Sequence, residues 1–240
     1  MTSLLCGPAD EDWLLAASPG YPPGRPRCEH VDVDALDVET PQGPARVHLH
    51  LAADRRAALV LGHGAGGGVT APDLVAVTGI AVGRGVSVAL VEQPYRVAGR
   101  RSPAPAPRLD SAWTAVLAHL AGDALEGVTL VTGGHSSGGR VACRTAAATG
   151  AAGVLCLAFP LQPASRPGAA PRPSRLPELE AVEVPVLIVQ GERDPFGMPP
   201  EAEGRTVARV AGDHSLKADL GAVTAAVGAW LDRVLGPPPS

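Results

Sequence analysis

The 240-residue chain carries a formal net charge of −4, and 45% of its residues are hydrophobic but only 3% aromatic. Its length suits one large α/β domain, its charge offers no footing for nucleic acid or an anionic membrane, and no apolar run approaches the roughly 18 residues of a membrane span. The four cysteines, Cys6, Cys28, Cys143 and Cys156, form no C-x-x-C pair that would suggest metal or redox use, and the 29 glycines and 25 prolines fall short of a low-complexity composition.

Residues 1–30 are polar and Pro-rich and read as an irregular N-terminal segment. Asp10-Glu11-Asp12 stands where a signal sequence would be basic and apolar, so a cytoplasmic location is expected, which disfavours a Cys6–Cys28 bridge. Residues 31–39 and 45–51 alternate apolar and polar around Pro41-Gln42-Gly43-Pro44, the pattern of an antiparallel hairpin. His48 and His50 share one strand face; with no third ligand nearby they read as a solvated face rather than a metal site.

Beyond the hairpin the pattern changes. Continuous apolar runs at 57–61, 86–91, 128–131, 154–157, 186–189 and, less cleanly, 206–210 suit strands covered on both faces. Segments of helical period lie between or after them, at 72–82, 109–120, 139–149 and 218–235, with Pro72 in the first turn of its helix. This alternation predicts a single three-layer α/β domain over residues 31–235, with a mostly parallel sheet and helices on both sides. Residues 160–183 hold six prolines and predict an extended crossing with one short helix near 176–182. Residues 236–240 read as a disordered tail.

The most specific motif is Gly134-His135-Ser136-Ser137-Gly138, between the run ending at Thr132 and the Ala-rich stretch that follows. A serine at a tight strand-to-helix turn, with small residues two before and two after, is the pattern of a nucleophile elbow. Ser136 meets that requirement through Gly134 and Gly138. Ser137 would have the His135 ring two residues behind it, so its expected part is a backbone N–H.

A serine hydroxyl needs a base, and the base an orienting acid. His214 lies in Ala211-Gly212-Asp213-His214, between the last strand and the last helix. Asp194 follows the 186–189 run, giving the order Ser136, Asp194, His214 that one large hydrolase class shares. Glu192 and Asp213 are alternative acids. Gly62-His63-Gly64-Ala65-Gly66-Gly67-Gly68 follows the first buried strand and can supply unobstructed N–H groups to an oxyanion. Ala65 and Ser137 are the expected donors, Gly66 the alternate first donor, and His63 a brace of the turn. A phosphate loop would need a Gly-Lys-Ser/Thr ending, and a dinucleotide fingerprint an acid about 20 residues on, where Glu92 lies too far.

With these residues the chain resembles the α/β-hydrolase fold over roughly residues 30–235. More narrowly it resembles the small hydrolases grouped as KANL3/Tex30-like and the dienelactone-hydrolase-like proteins. The narrower likeness rests on His63-Gly64-Ala65-Gly66-Gly67, on Pro94-Tyr95-Arg96 with Gly99-Arg100-Arg101, and on Gly133 to Arg140. The resemblance implies a sheet of about eight strands with the second antiparallel, and a Ser136–Asp194–His214 triad. The 160–183 segment occupies the place of a lid but is too short for a lid domain. Tyr95 and Arg96, with Arg100 and Arg101, are candidates for gripping a substrate carboxylate; the competing reading is a loop held by Arg–backbone bonds.

The expected activity is hydrolysis of a carboxylic ester or related acyl bond through an acyl-enzyme on Ser136. The expected partner is a small-molecule ester or acyl substrate, with no metal and no organic cofactor. The alternatives are a binding or scaffold protein that retains the fold, and an acyltransferase or peptidase using the same residues.

Overall fold

Eight strands form one sheet in the order β1-β2-β4-β3-β5-β6-β7-β8. The computed structural model describes residues 34–163, 170 and 172–236; the expectations for residues 1–30, for 31–33, for the Cys6–Cys28 pair and for 237–240 lie outside them. β1 (Asp34–Val38) and β2 (Ala45–His50) are the expected hairpin, and β2 runs antiparallel to both β1 and β4. β3 (Ala57–Gly62), β4 (Val86–Glu92), β5 (Thr129–His135), β6 (Gly153–Leu157), β7 (Val186–Gly191) and β8 (Arg205–Val210) pair in parallel.

The helices cover both faces. α1 (Pro72–Val82) and α6 (Leu220–Leu235) pack on one side, against Leu59, Leu61, Leu155, Leu157 and Leu187. α3 (Ala106–Ala121), α4 (Ser137–Thr149) and the short α5 (Leu176–Glu180) cover the other, where Trp113 packs with Ala58 and Val60, and Ala142 with Cys156 and Ile188. Neighbouring residues of β3 therefore enter different cores, which is why its sequence is uniformly apolar rather than alternating. Each fully buried leucine contributes at most about 1.5–3 kcal/mol from removal of apolar surface.

The element ends differ from the sequence reading by a few residues. α3 begins at Ala106 and α4 at Ser137, both earlier than expected, while α6 begins at Leu220 and α5 stops at Glu180. A further one-turn helix, α2 (Pro94–Val97), follows β4; four residues carry no readable period. Among the described residues, α5 is the only helix between β6 and β7, and no helix is long and apolar enough to cross a membrane.

This topology positions the site. β3 leads through α1 to β4 on one side, and β4 leads through α3 back across β3 to β5 on the other. The right-handed crossover then requires α1 and α3 to lie on opposite faces. The carboxyl ends of β3 and β5 flank the point where the direction of winding reverses, which is where open α/β sheets leave a crevice.

Candidate active site

Ser136 sits at the end of β5 with φ 50° and ψ −102°, a left-handed conformation unusual for a side chain-bearing residue. Its N–H donates to Leu157 O at 2.8 Å, and its own carbonyl accepts from Arg140 N at 3.2 Å, so sheet and helix together hold the turn. The two flanking glycines are required by the crossing of β3. A Cβ on Gly134 or on Gly138 would fall inside the contact radius of Gly62 O.

The structure brings the three predicted side chains into line. His214 Nε2 lies 3.0 Å from Ser136 Oγ, and His214 Nδ1 lies 2.8 Å from Asp194 Oδ2. The Asp194 side chain is only 1% exposed, and its oxygens are otherwise met by donors: Gln190 Nε2 donates to Oδ2 at 2.8 Å and Phe196 N to Oδ1 at 2.9 Å. Facing a carboxylate, Nδ1 carries the proton, which leaves the Nε2 lone pair to accept from the serine hydroxyl. The Phe196 ring packs edge-on against His214 with centroids 4.6 Å apart. Of the alternative acids, Glu192 is exposed, and Asp213 Oδ1 accepts from Ser215 N at 2.9 Å and Ser215 Oγ at 2.7 Å, which keeps its loop turned rather than orienting His214.

The glycine-rich loop after β3 is fixed by its own carbonyls. The buried His63 ring accepts at Nε2 from Gln93 N at 3.2 Å and donates from Nδ1 to Gly64 O at 2.8 Å. Burial, opposed by the Gly64 bond, holds its pKa below the ordinary imidazole value, consistent with this neutral tautomer. Gly67 N also donates to Gly64 O, and Tyr95 Oη donates to Ala65 O at 3.1 Å. In a planar trans peptide the N–H points opposite to the preceding C=O. Pinning the carbonyls of Gly64 and Ala65 therefore fixes the direction of the Ala65 and Gly66 N–H groups.

Tyr95 is thus a brace of this loop, not a wall of the cavities beside Ser136, and Arg96 on α2 lines neither of them. Ser136 borders two cavities. One, about 480 Å³, is lined by Gly64 to Gly68, Asp73, His135, Phe196, His214 and Lys217. The other, about 290 Å³, is lined by Ala65, Ser137, Arg140, Arg144, Arg175 and Phe196 among others.

Several residues of the site escape sequence reasoning. Gln190 reads as one more position of a buried strand. His135 is visible within the elbow motif, but its partner is not: its Nδ1 lies 2.6 Å from the buried Asp73 Oδ2 in the first turn of α1. An acid in a first turn ordinarily answers the helix dipole and draws no notice. Cys143 and Cys156 are buried free thiols, as expected, with Sγ atoms 3.5 Å apart. His48 Nε2 stands 3.7 Å from Glu92 Oε1, and no group of three or more His, Cys, Asp or Glu that could hold a metal occurs among the described residues.

A family model described as "Alpha/beta hydrolase domain" matches residues 55–221. No curated protein matches the sequence. Among solved structures, the chain is similar to XC6422 from Xanthomonas campestris, described as an α/β serine hydrolase without a lid: 18% identity, TM-score 0.69, covering 86% of this chain and 97% of that one. It is also similar to Est1E from Butyrivibrio proteoclasticus (17% identity, TM-score 0.66, 83% of this chain and 98% of that one). A dienelactone hydrolase from Anabaena variabilis is comparable, at 16% identity and TM-score 0.67, with 85% and 98% covered. These identities establish the shared fold alone. With residues 55–221 matched and an eight-stranded sheet winding outward from β3, the chain belongs to the α/β-hydrolase family.

Proposed function

We propose that the chain is a serine hydrolase that cleaves a carboxylic ester through an acyl-enzyme on Ser136. The observation that carries this reading is the unbroken line Ser136 Oγ–His214–Asp194, with contacts of 3.0 and 2.8 Å. In that line His214 Nε2 takes the hydroxyl proton as Oγ attacks the acyl carbon. The buried Asp194 carboxylate offsets the imidazolium charge and, held by Gln190 and Phe196 N–H, does not rotate away.

Negative charge then develops on the carbonyl oxygen. The Ala65 and Ser137 N–H groups are assigned to receive it, with Gly66 as the alternate first donor. Each such donor is worth about 2.7–4 kcal/mol in the transition state. His214 returns its proton to the departing alcohol, which leaves as the C–O bond breaks. Water, deprotonated by His214, attacks the acyl-enzyme; the acid departs and Ser136 recovers its proton.

The test combines turnover of short p-nitrophenyl esters with labelling by a fluorophosphonate. Expected are labelling at Ser136 and turnover, with a loss of about 10⁴-fold or more in Ser136→Ala. Folded protein that neither labels nor turns over ester, or activity that survives Ser136→Ala, overturns the reading.

A further inference from the structure

The smaller cavity beside Ser136 has three guanidiniums in its wall, and among the described residues two carboxylates pair with them. Arg140 is engaged bidentately by Glu178, with Nε donating to Oε2 at 2.9 Å and Nη2 to Oε1 at 2.5 Å. Arg144 is engaged bidentately by Asp110 at 2.9 and 2.6 Å, and reaches Glu178 at 3.3 Å. Arg175 is left over. Its one side-chain hydrogen bond among the described residues runs from Nη1 to the carbonyl of Pro160 at 2.9 Å. Residues 164–171, Ala-Ser-Arg-Pro-Gly-Ala-Ala-Pro, contain no acid that could complete the pairing.

The surroundings of Arg175 make that vacancy unfavourable. Burial and, after it, the adjacent Arg140 charge bring its pKa below the ordinary guanidinium value, to about 10. Glu178, already shared by Arg140 and Arg144, acts on Arg175 only from a distance, and a half-buried cation with no carboxylate of its own among the described residues costs free energy that an uncharged side chain would not. The N-terminus of the 13-residue α4, at Ser137, adds further positive potential at the same wall. Among the described residues lining or pairing at this wall, three guanidiniums face two carboxylates, an excess of positive charge that an anionic group would neutralise. The planar fork at Arg175 retains Nε and Nη2 donors suited to the two oxygens of a carboxylate.

We infer that the cavity walled by Arg140, Arg144 and Arg175 binds a carboxylate group carried by the substrate ester, with Arg175 as its direct partner. This rests on the hydrolase reading for its chemistry but not for its binding. The anionic end of the substrate lies in this cavity while its reacting carbonyl stands over Ser136. From sequence, such a grip is expected at Tyr95 and Arg96; the wall of this cavity instead presents guanidiniums from α4 and from the segment before α5.

The experiment compares kcat/KM within two matched ester pairs. p-Nitrophenyl hemiglutarate against p-nitrophenyl valerate places the carboxylate on the acyl side; 3-acetoxybenzoate against phenyl acetate places it on the alcohol side. The expected result is a preference of about tenfold or more for the charged member of one pair. That preference falls towards unity in Arg175→Gln and is only partly retained in Arg175→Lys, which keeps the charge but loses the fork. Equal turnover within both pairs, or a preference that survives Arg175→Gln, overturns the inference and leaves the hydrolase reading standing. A binding arm needs no catalysis: glutarate, but not glutaramide, is expected to raise the Tm of the wild-type chain and not that of Arg175→Gln. If no ester is turned over, the hydrolase reading fails, and the glutarate shift alone supports or, by its absence, overturns the anion site.

Discussion

Asp73 Oδ2 and His135 Nδ1 meet at 2.6 Å beside Ser136, and the His135 ring packs edge-on against His214 with centroids 5.3 Å apart. A second carboxylate–imidazole pair thus supports the histidine proposed as the base. Asp73→Ala leaves the inner nitrogen of His135 facing a cavity. The expected cost is about 1–3 kcal/mol of stability, or roughly 3–10 °C in Tm. A fall of several-fold in kcat with KM little changed should accompany it. Urea denaturation and p-nitrophenyl acetate kinetics check the two effects separately.

Gln190 Nε2 donates to Asp194 Oδ2 at 2.8 Å, to Gly197 O at 2.9 Å and to Phe159 O at 3.1 Å, tying the acid to the loop on either side. Gln190→Leu removes the donor and is expected to lower kcat about tenfold, equivalent to ~1.4 kcal/mol, with KM held. Gln190→Glu sets a second carboxylate against Asp194 and should be worse in both kcat and Tm. A Gln190→Glu chain as active as wild type would show that Asp194 needs no such anchor.

Tyr95→Phe removes the hydrogen bond to Ala65 O and nothing else of the ring. About 1 kcal/mol of stability is expected to go with it. If the Ala65 and Gly66 N–H groups serve the oxyanion, kcat drops several-fold while KM stays. A rise in KM alone would instead assign Tyr95 to substrate contact.

Two histidines withdrawn from water, His63 almost wholly and His50 in part, make stability depend on pH on the acid side. Burial lowers the pKa of His63, and burial together with the His48 charge lowers that of His50, both below 6.5. The unfolded chain therefore takes up protons near pH 6.5 that the folded chain refuses until lower pH. Stability is full above about pH 6.5 and is lost as pH falls through the folded values. The Tm should be level on the alkaline side of that point and decline as the pH falls below it. His63→Asn should be less stable at neutral pH but decline less steeply, His50 supplying the remaining slope.

Ser136 could be preferred to Ser137 from sequence because the constraint is local: no Cβ fits two residues either side of the nucleophile, and Gly62 is the backbone that forbids it. The parallel core strands were legible for a similar reason, since burial on both faces leaves uniform apolar runs. Asp194 and His214 stood out by position at strand ends. Asp73 and His135, 62 residues apart, violate no local rule and meet only because α1 descends beside β5. The Arg140, Arg144, Asp110 and Glu178 network is equally silent in sequence; each residue reads as an ordinary charge on a helix until α3, α4 and α5 are packed. Tyr95 was legible as part of the site but not its role, which depends on where one hydroxyl points.

The Gly62 backbone lies against both flanks of the elbow and β3 pairs with β5, so the strand that carries the glycine-rich loop and the turn that carries Ser136 are held in register. The proposed nucleophile and the loop proposed to hold the oxyanion thus share one backbone casting. An arriving substrate has nothing to assemble. Discrimination among substrates then falls to side chains outside the casting, on α1, on α4 and before α5. Those walls can be redrawn by substitution, to admit a neutral acyl chain or a different anion, without recasting the frame that does the chemistry.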